Sequence, residues 1–327
     1  RELIPHRKRR EKQSRPLILA GHGISLRVDK GTLLVRDGNT HFPAPIKEFR
    51  YFPGQLDIPT QIILIDGSGN ITLDALDWLA EQHAHVIRLR WNGEISILSA
   101  PTGYSGNFEN IKWQLEAREN RETQIEFAQD LIFRKLEAAL WNLENVLPDS
   151  PYRAAAIENH KSAIADIQSI SSQSEFQMLG FEGGLASGYF NSWRALPLKW
   201  KTSKRFPIPD EWREYQSRSR LGGKHRNRDA THPVNAMLNY AYKVLETQIR
   251  IHCVIEGYDP TIGILHTGKR TKKTGQPSFI LDLMEPYRPL VDRGVIRLLS
   301  EEELSGADFS IQKDGVCRLN PAMARYI

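Results

Sequence analysis

Of 327 residues only two are cysteine, Cys253 and Cys317; they lie far apart and without metal-ligand spacing. That scarcity excludes a disulfide framework and a zinc site, and both are expected to be plain core thiols. Long apolar runs are missing too: none approaches the roughly 20 residues of a membrane span. The first residues, RELIPHRKRREKQSRP, lack the apolar stretch of a secretory signal and do not begin with Met, as expected of a processed or truncated chain. A cytoplasmic protein with no membrane partner is expected. Several enzyme signatures are also absent. DGSGN (66–70) has no Lys-Ser/Thr of a phosphate-binding loop and reads as a tight turn into the next helix. The ten histidines form no H-E-x-x-H pair, and His252 in LETQIRIHCVIEGY reads as a satisfied interior histidine. There is no G-x-S-x-G elbow. Metal-assisted chemistry is the main enzymatic class left.

What is present begins with charge. The formal net charge is +5, but residues 1–16 hold seven Lys/Arg against two acids and account for all of it, so only local patches in the body are informative. Between Arg194 and Arg228 there are eleven Lys/Arg and three Asp/Glu, interleaved with Trp200, Phe206, Trp212 and Tyr215, and the loop 267–276 adds four bases and no acid. Such concentration suits a polyphosphate partner, whose counterions are released on binding. A solvated helix face is the plainer alternative for any one patch.

Residues 17–66 read as short strands, PLILA, ISLRV, TLLVRDG and QIILID, with turns at Asp29-Lys30-Gly31 and Asp37-Gly38-Asn39. ITLDALDWLAEQH follows as an amphipathic helix with Leu73, Leu76, Leu79 and Ala80 on its apolar stripe, broadened by Trp78. HVIRLRW and EISILS close on Asn92-Gly93 as a hairpin. After SAPTGYSGN (99–107) helix formers dominate, with helices expected over 152–171, 175–196, 233–256 and 286–299 and a long connection over 197–229. The organisation expected is α+β: a basic tail (1–16), an N-terminal β-rich domain (17–105) and a helical domain (106–327).

Asp282 and Glu285 stand three residues apart in the apolar run FILDLMEPY. A buried carboxylate needs a cation, a hydrogen-bond network or a metal, although two acids at a helix start can also serve the helix dipole. Glu182 precedes Gly183 and Gly184 in FEGGLASGYFNSWRAL, where glycines inside a helix (Gly188 included) point to close approach of a backbone or a ligand.

Three segments together, FEGGLASGYF, HPVNAMLNYAYKVLETQIRIHCVIEGYDPTIGILHTG and PSFILDLMEPYRPLVDRGVIRLL, resemble the CRISPR-associated endonuclease and integrase family, the first CRISPR-associated protein (Cas-one). The likeness covers about 17–327. It implies a β-sandwich-like N-terminal domain that builds a homodimer, followed by an all-α catalytic domain. It also implies an Mg²⁺ or Mn²⁺ site of Glu182, His266 and Glu285 with Asp282 close by. The activity implied is insertion of short DNA fragments into a repeat array, with double-stranded DNA and the second CRISPR-associated protein as partners. DNA contacts are expected from Lys269, Arg270, Lys272 and Lys273 and from Arg218, Arg220, Lys224 and Arg226. Gly-Gly after Glu182, where Gly-Ala is commoner, and the long HTGKRTKKTGQPS loop depart from the family pattern. A transposon-derived integrase without the small subunit, and a metal-free DNA-binding scaffold, are the competing readings.

Overall fold

The computed structural model describes residues 16–40, 46–90, 95–99, 106–167, 175–218, 230–266, 277–312 and 315–327; the side chains of 175–182, 95, 98 and 255 are outside that description. The chain divides into two compact units, Arg1–Gly103 and Tyr104–Ile327.

In the first unit the described strands form one mixed sheet. They are β1 (Leu17–Asp29), β2 (Thr32–Arg36), β3 (Glu48–Tyr51), β4 (Gln61–Ile71), β5 (His85–Leu89) and β6 (Ile95–Ser99), in the order β3-β2-β1-β4-β5-β6. β1 and β2 are antiparallel across Lys30-Gly31, both at positive φ (49° and 75°), the backbone that a two-residue hairpin needs. The β4–β5 pair is parallel, which demands a crossover; α1 (Leu73–Glu81), capped by Thr72, supplies it.

Two expectations change here. DGSGN is no turn: β4 continues through it and pairs in parallel with β1, His22 against Ser68 and Ser25 against Asn70, across register shifts. A Cβ on Gly67 would meet the Gly21 carbonyl oxygen and one on Gly69 the Ile24 carbonyl oxygen, so these glycines permit backbone to touch backbone. The buried face of α1 is Ala75, Trp78 and Leu79, with Leu73 79% exposed: Trp78, whose Nε1 donates to the Gly31 carbonyl, sets the face. The Asn92-Gly93 hairpin tip lies outside the described residues, while the strands flanking it pair as expected.

The second unit is built from α2 (Phe108–Glu119), α3 (Arg121–Asn145), α4 (Pro151–Ile167), α5 (Glu175–Ser192), α6 (Pro233–Ile255), α7 (Ser278–Met284) and α8 (Arg288–Glu301). A short antiparallel hairpin, β7 (Phe309–Ile311) and β8 (Cys317–Leu319), and α9 (Pro321–Tyr326) complete it. The hairpin departs from an all-helical reading; three-residue strands are too short to carry an alternating pattern. Both cysteines are buried free thiols, as expected, and burial pushes each up to about 12.

His252 is exposed on α6, not interior. The aromatics among the bases also read differently in three dimensions. Trp212 and Tyr215 are buried, Trp200 stacks on Trp212, and Phe309 closes against both tryptophans, so they anchor the connection to the helical unit. Phe206 alone of the four is exposed.

Candidate active site in the helical unit

The stretch before α7 is drawn tightly against it. A Cβ on Gly263 would lie 2.6 Å from the Ser278 Cβ, so only glycine fits. The tightness serves Asp282, which is fully buried and accepts four hydrogen bonds. The backbone N–H groups of Ile264 and Leu265 donate to Oδ2 at 2.7 and 3.0 Å, and that of His266 donates to Oδ1 at 2.8 Å. The His266 ring joins them, its Nδ1 2.6 Å from Oδ1. With Nδ1 donating to the carboxylate, the neutral ring carries its lone pair on Nε2, the arrangement that orients histidine ligands in metal sites.

Glu285 lies one turn on, where the helix tightens into a single 3₁₀ turn (Glu285–Tyr287) that contains Pro286. Its Oε2 is 2.6 Å from Lys135 Nζ on α3 and its Oε1 is 3.0 Å from Arg288 Nε. Burial alone would raise the Glu285 carboxyl; Lys135 and Arg288, with His266 adding a smaller share, hold it below the ordinary value. Arg288 packs over the Tyr242 ring.

A cavity of about 510 Å³ opens between α3, α4, α5, α6 and the start of α8, lined by Lys135, Glu285 and Arg288 among others. Gly183, the residue after Glu182, lines it too; α5 therefore carries the backbone of Glu182 to its edge, whereas the Glu182 side chain is outside the described residues. Among the described residues nothing stands within 4 Å of a Cβ built on Gly183 or Gly184, and Gly183 lines the cavity. Among the described residues no three His, Cys, Asp or Glu side chains converge as a metal cluster; His266 and Glu285 are the two predicted ligands whose side chains are described. Asp282 turns its oxygens to the backbone and to His266, so it positions the imidazole rather than facing the cavity.

Of the predicted DNA contacts only Arg218 is described. It lines the cavity, donates to Asn239 at 2.7 Å, and lies over the Phe190 and Tyr242 rings. Arg220, Lys224, Arg226, Lys269, Arg270, Lys272 and Lys273 lie outside the described residues.

A family model described as CRISPR associated protein Cas1 matches residues 17–327, nearly the whole chain. The chain belongs to the Cas1 family. A curated relative, CRISPR-associated endonuclease Cas1 2 of Pyrobaculum aerophilum, is 26% identical over 290 residues, 88% of this chain and 83% of the relative. Among solved structures, a casposase bound to integration product superposes with a TM-score of 0.68 at 26% identity, covering 95% of this chain and 79% of that one. A Cas1 protein from Thermotoga maritima has a TM-score of 0.63 at 17% identity, over 94% and 85% of the two chains, which extends the likeness of fold. The β-rich first unit and helical second unit are thus those of Cas1 proteins.

Sequence reasoning missed Lys135, Arg288, Tyr242 and Asp292, all in this cavity. A signal for the first existed. The buried stripe of α3 runs Ile125, Ala128, Leu131, Ile132, Leu136, Ala139, Asn142 and Leu143, and Lys135 sits on it at helical spacing from Leu131 and Ile132. A lysine there needs a buried partner. Asp292 accepts from Tyr242 Oη at 2.5 Å; Asn142, on the same stripe as Lys135, donates to Tyr189 Oη and the Pro289 carbonyl.

Proposed function

We propose that this chain is a divalent-metal-dependent DNA endonuclease and integrase, inserting short DNA fragments into a repeat array by attack of a fragment 3′-OH on a phosphodiester. The observation that carries the reading is the Asp282–His266 pair, an imidazole oriented by a buried carboxylate within electrostatic reach of Glu285. Its donors fit Mg²⁺ or Mn²⁺: an acid already ionised by its neighbours and an imidazole whose Nε2 is the nitrogen not engaged by Asp282, hard oxygen with borderline nitrogen. His266 and Glu285 would hold the ion, with Glu182 as the third ligand on the family pattern. A bound divalent ion there supplies charge neutralisation at a phosphodiester and a lower pKa for the attacking hydroxyl.

The protein's own share is positioning. Asp282 fixes the His266 ring by one hydrogen bond and the 264–266 backbone beneath it by three, and Arg288 and Arg218 present fixed guanidinium groups to an anionic backbone entering the cavity. In strand transfer the 3′-oxygen–phosphorus bond forms as the leaving oxygen–phosphorus bond breaks. One phosphodiester replaces another, so no nucleotide triphosphate is consumed. With water as the nucleophile the same site cleaves. Double-stranded DNA, a second copy of the chain and the second CRISPR-associated protein are the partners in this reading.

A second reading, an integrase of transposon type working without a small partner subunit, draws support from the casposase likeness, since that protein is bound to its integration product. Purified chain alone, given a labelled 3′-OH duplex, a plasmid target and Mn²⁺, separates the two by whether joining requires the small subunit. His266→Ala and Glu182→Ala are expected to abolish joining and cleavage while DNA binding largely persists. Activity equal to the parent in Mn²⁺ would refute the site.

A further inference from the structure

The two oxygens of Glu285 are held by cations of different kinds. Arg288 grips Oε1 with a guanidinium that also lies 5.2 Å from the centroid of the Tyr242 ring, whereas Lys135 meets Oε2 with one ammonium on a flexible stem. Both the Lys135 and Glu285 side chains are largely shielded, at 17% and 8% exposure, and both line the 510 Å³ cavity. Any divalent ion that uses Glu285 must share or take a carboxylate oxygen that already meets a cation, and two positive charges on one oxygen repel. The planar guanidinium, stacked and hydrogen-bonded, is the harder of the two to move; the ammonium is the easier.

We propose that Lys135 is an exchangeable counter-ion of Glu285: it holds the carboxylate in place before the metal binds, yields Oε2 to it, and then neutralises a nucleic-acid phosphate in the same cavity. The idea rests on the metal reading above and adds a residue to it. Lys135 is a positioning residue, set on the apolar stripe of α3 because its charge is wanted inside. Without the ammonium, Glu285 offers an oxygen with no competitor for the metal, while the phosphate loses a counter-charge. Metal affinity and turnover should therefore move in opposite directions, which a merely structural lysine would not produce.

Mn²⁺ binding to the DNA-free protein, measured by calorimetry and by electron paramagnetic resonance, tests this. Lys135→Met is expected to bind Mn²⁺ roughly tenfold more tightly than the parent, and to join DNA at least about tenfold more slowly at saturating Mn²⁺. Lys135→Arg keeps the charge and can grip the carboxylate with two parallel hydrogen bonds. It is expected to bind Mn²⁺ several-fold more weakly and to retain part of the joining rate. If Lys135→Met fails to fold, the arginine variant alone decides: affinity equal to the parent overturns the proposal. Glu285→Gln separates the layers. Should it lose Mn²⁺ binding while both lysine variants match the parent, the exchange idea falls and the metal site stands. Should the parent bind no Mn²⁺, or Glu285→Gln bind it as the parent does, Glu285 is no ligand and both fall.

Discussion

Asp282 and Glu285 are the same chemistry three residues apart, and the protein treats them in opposite ways. Asp282 is enclosed by three consecutive backbone amides and one imidazole, partners that cannot leave without unfolding the 264–266 turn. Glu285 is balanced by two long cationic side chains at the wall of a cavity. Asp292, the third acid of the group, meets side chains among the described residues: Tyr242 and Tyr189 hydroxyls and two more distant guanidinium groups share it. An acid solvated by backbone is part of the architecture, and one solvated by side chains can change partners.

The largest effect that separates these acids is on stability. Asp282→Ala strips three buried amides and a histidine of their acceptor at once. A loss of roughly 3–5 kcal/mol is expected in urea unfolding of the chain, and Asp282→Asn, which keeps one acceptor oxygen, should lie between. A cost near 1 kcal/mol for the alanine variant would mean that the turn has other support, and the contrast with Glu285 would dissolve.

Next comes Asp292. Burial first of all raises its carboxyl from 3.8 to about 6, against the lowering effect of Tyr242, Arg218, Tyr189 and Arg288. The folded chain thus keeps a proton on Asp292 that the unfolded chain releases between about pH 4 and 6. The sign follows: this group's stabilisation is complete below about pH 4 and is lost as pH rises through 6. By linkage it is worth about 3 kcal/mol across that window. Asp292→Asn cannot titrate. Urea midpoints of parent and variant compared from pH 7 down to 4 should drift apart in the parent's favour, and parallel curves would place Asp292 with the acids that stay ionised.

Much of this arrangement was legible in the chain, and what was not has a common cause. The change of composition at SAPTGYSGN marks the division of the two units, found at Gly103, and the periodicity of α3 and α6 marks those helices. His266, Asp282 and Glu285 could be named because they sit in motifs. Their division of labour could not, since the partners of Asp282 are amides, which every residue possesses. DGSGN misled for a similar reason: its partner strand lies more than 40 residues away, and a glycine that allows two backbones to touch looks locally like one that allows a turn. Trp200, Trp212 and Tyr215 looked like a nucleic-acid surface because bases surround them in sequence; their packing on Phe309 and Trp193 is a long-range fact. Lys135 was the readable residue that went unread, a charge at an apolar position of a 25-residue helix.

The smallest effect sharpens the contrast most. Glu285→Gln removes a carboxylate from between two cations, which in a sealed core would cost as much as any broken buried pair. Lys135 and Arg288 border an open cavity, though, and water can solvate them once the acid is gone, so a loss of only about 1–2 kcal/mol is expected. Pairing it with Lys135→Met measures what the contact itself contributes: the double variant should unfold close to the single Glu285→Gln variant, because the second change removes a charge whose contact with the carboxylate is already gone. Full additivity of the two losses in urea unfolding would mean that the 2.6 Å contact carries no coupling energy. Glu285 would then be held by Arg288 alone, and the two acids would differ in degree and not in kind.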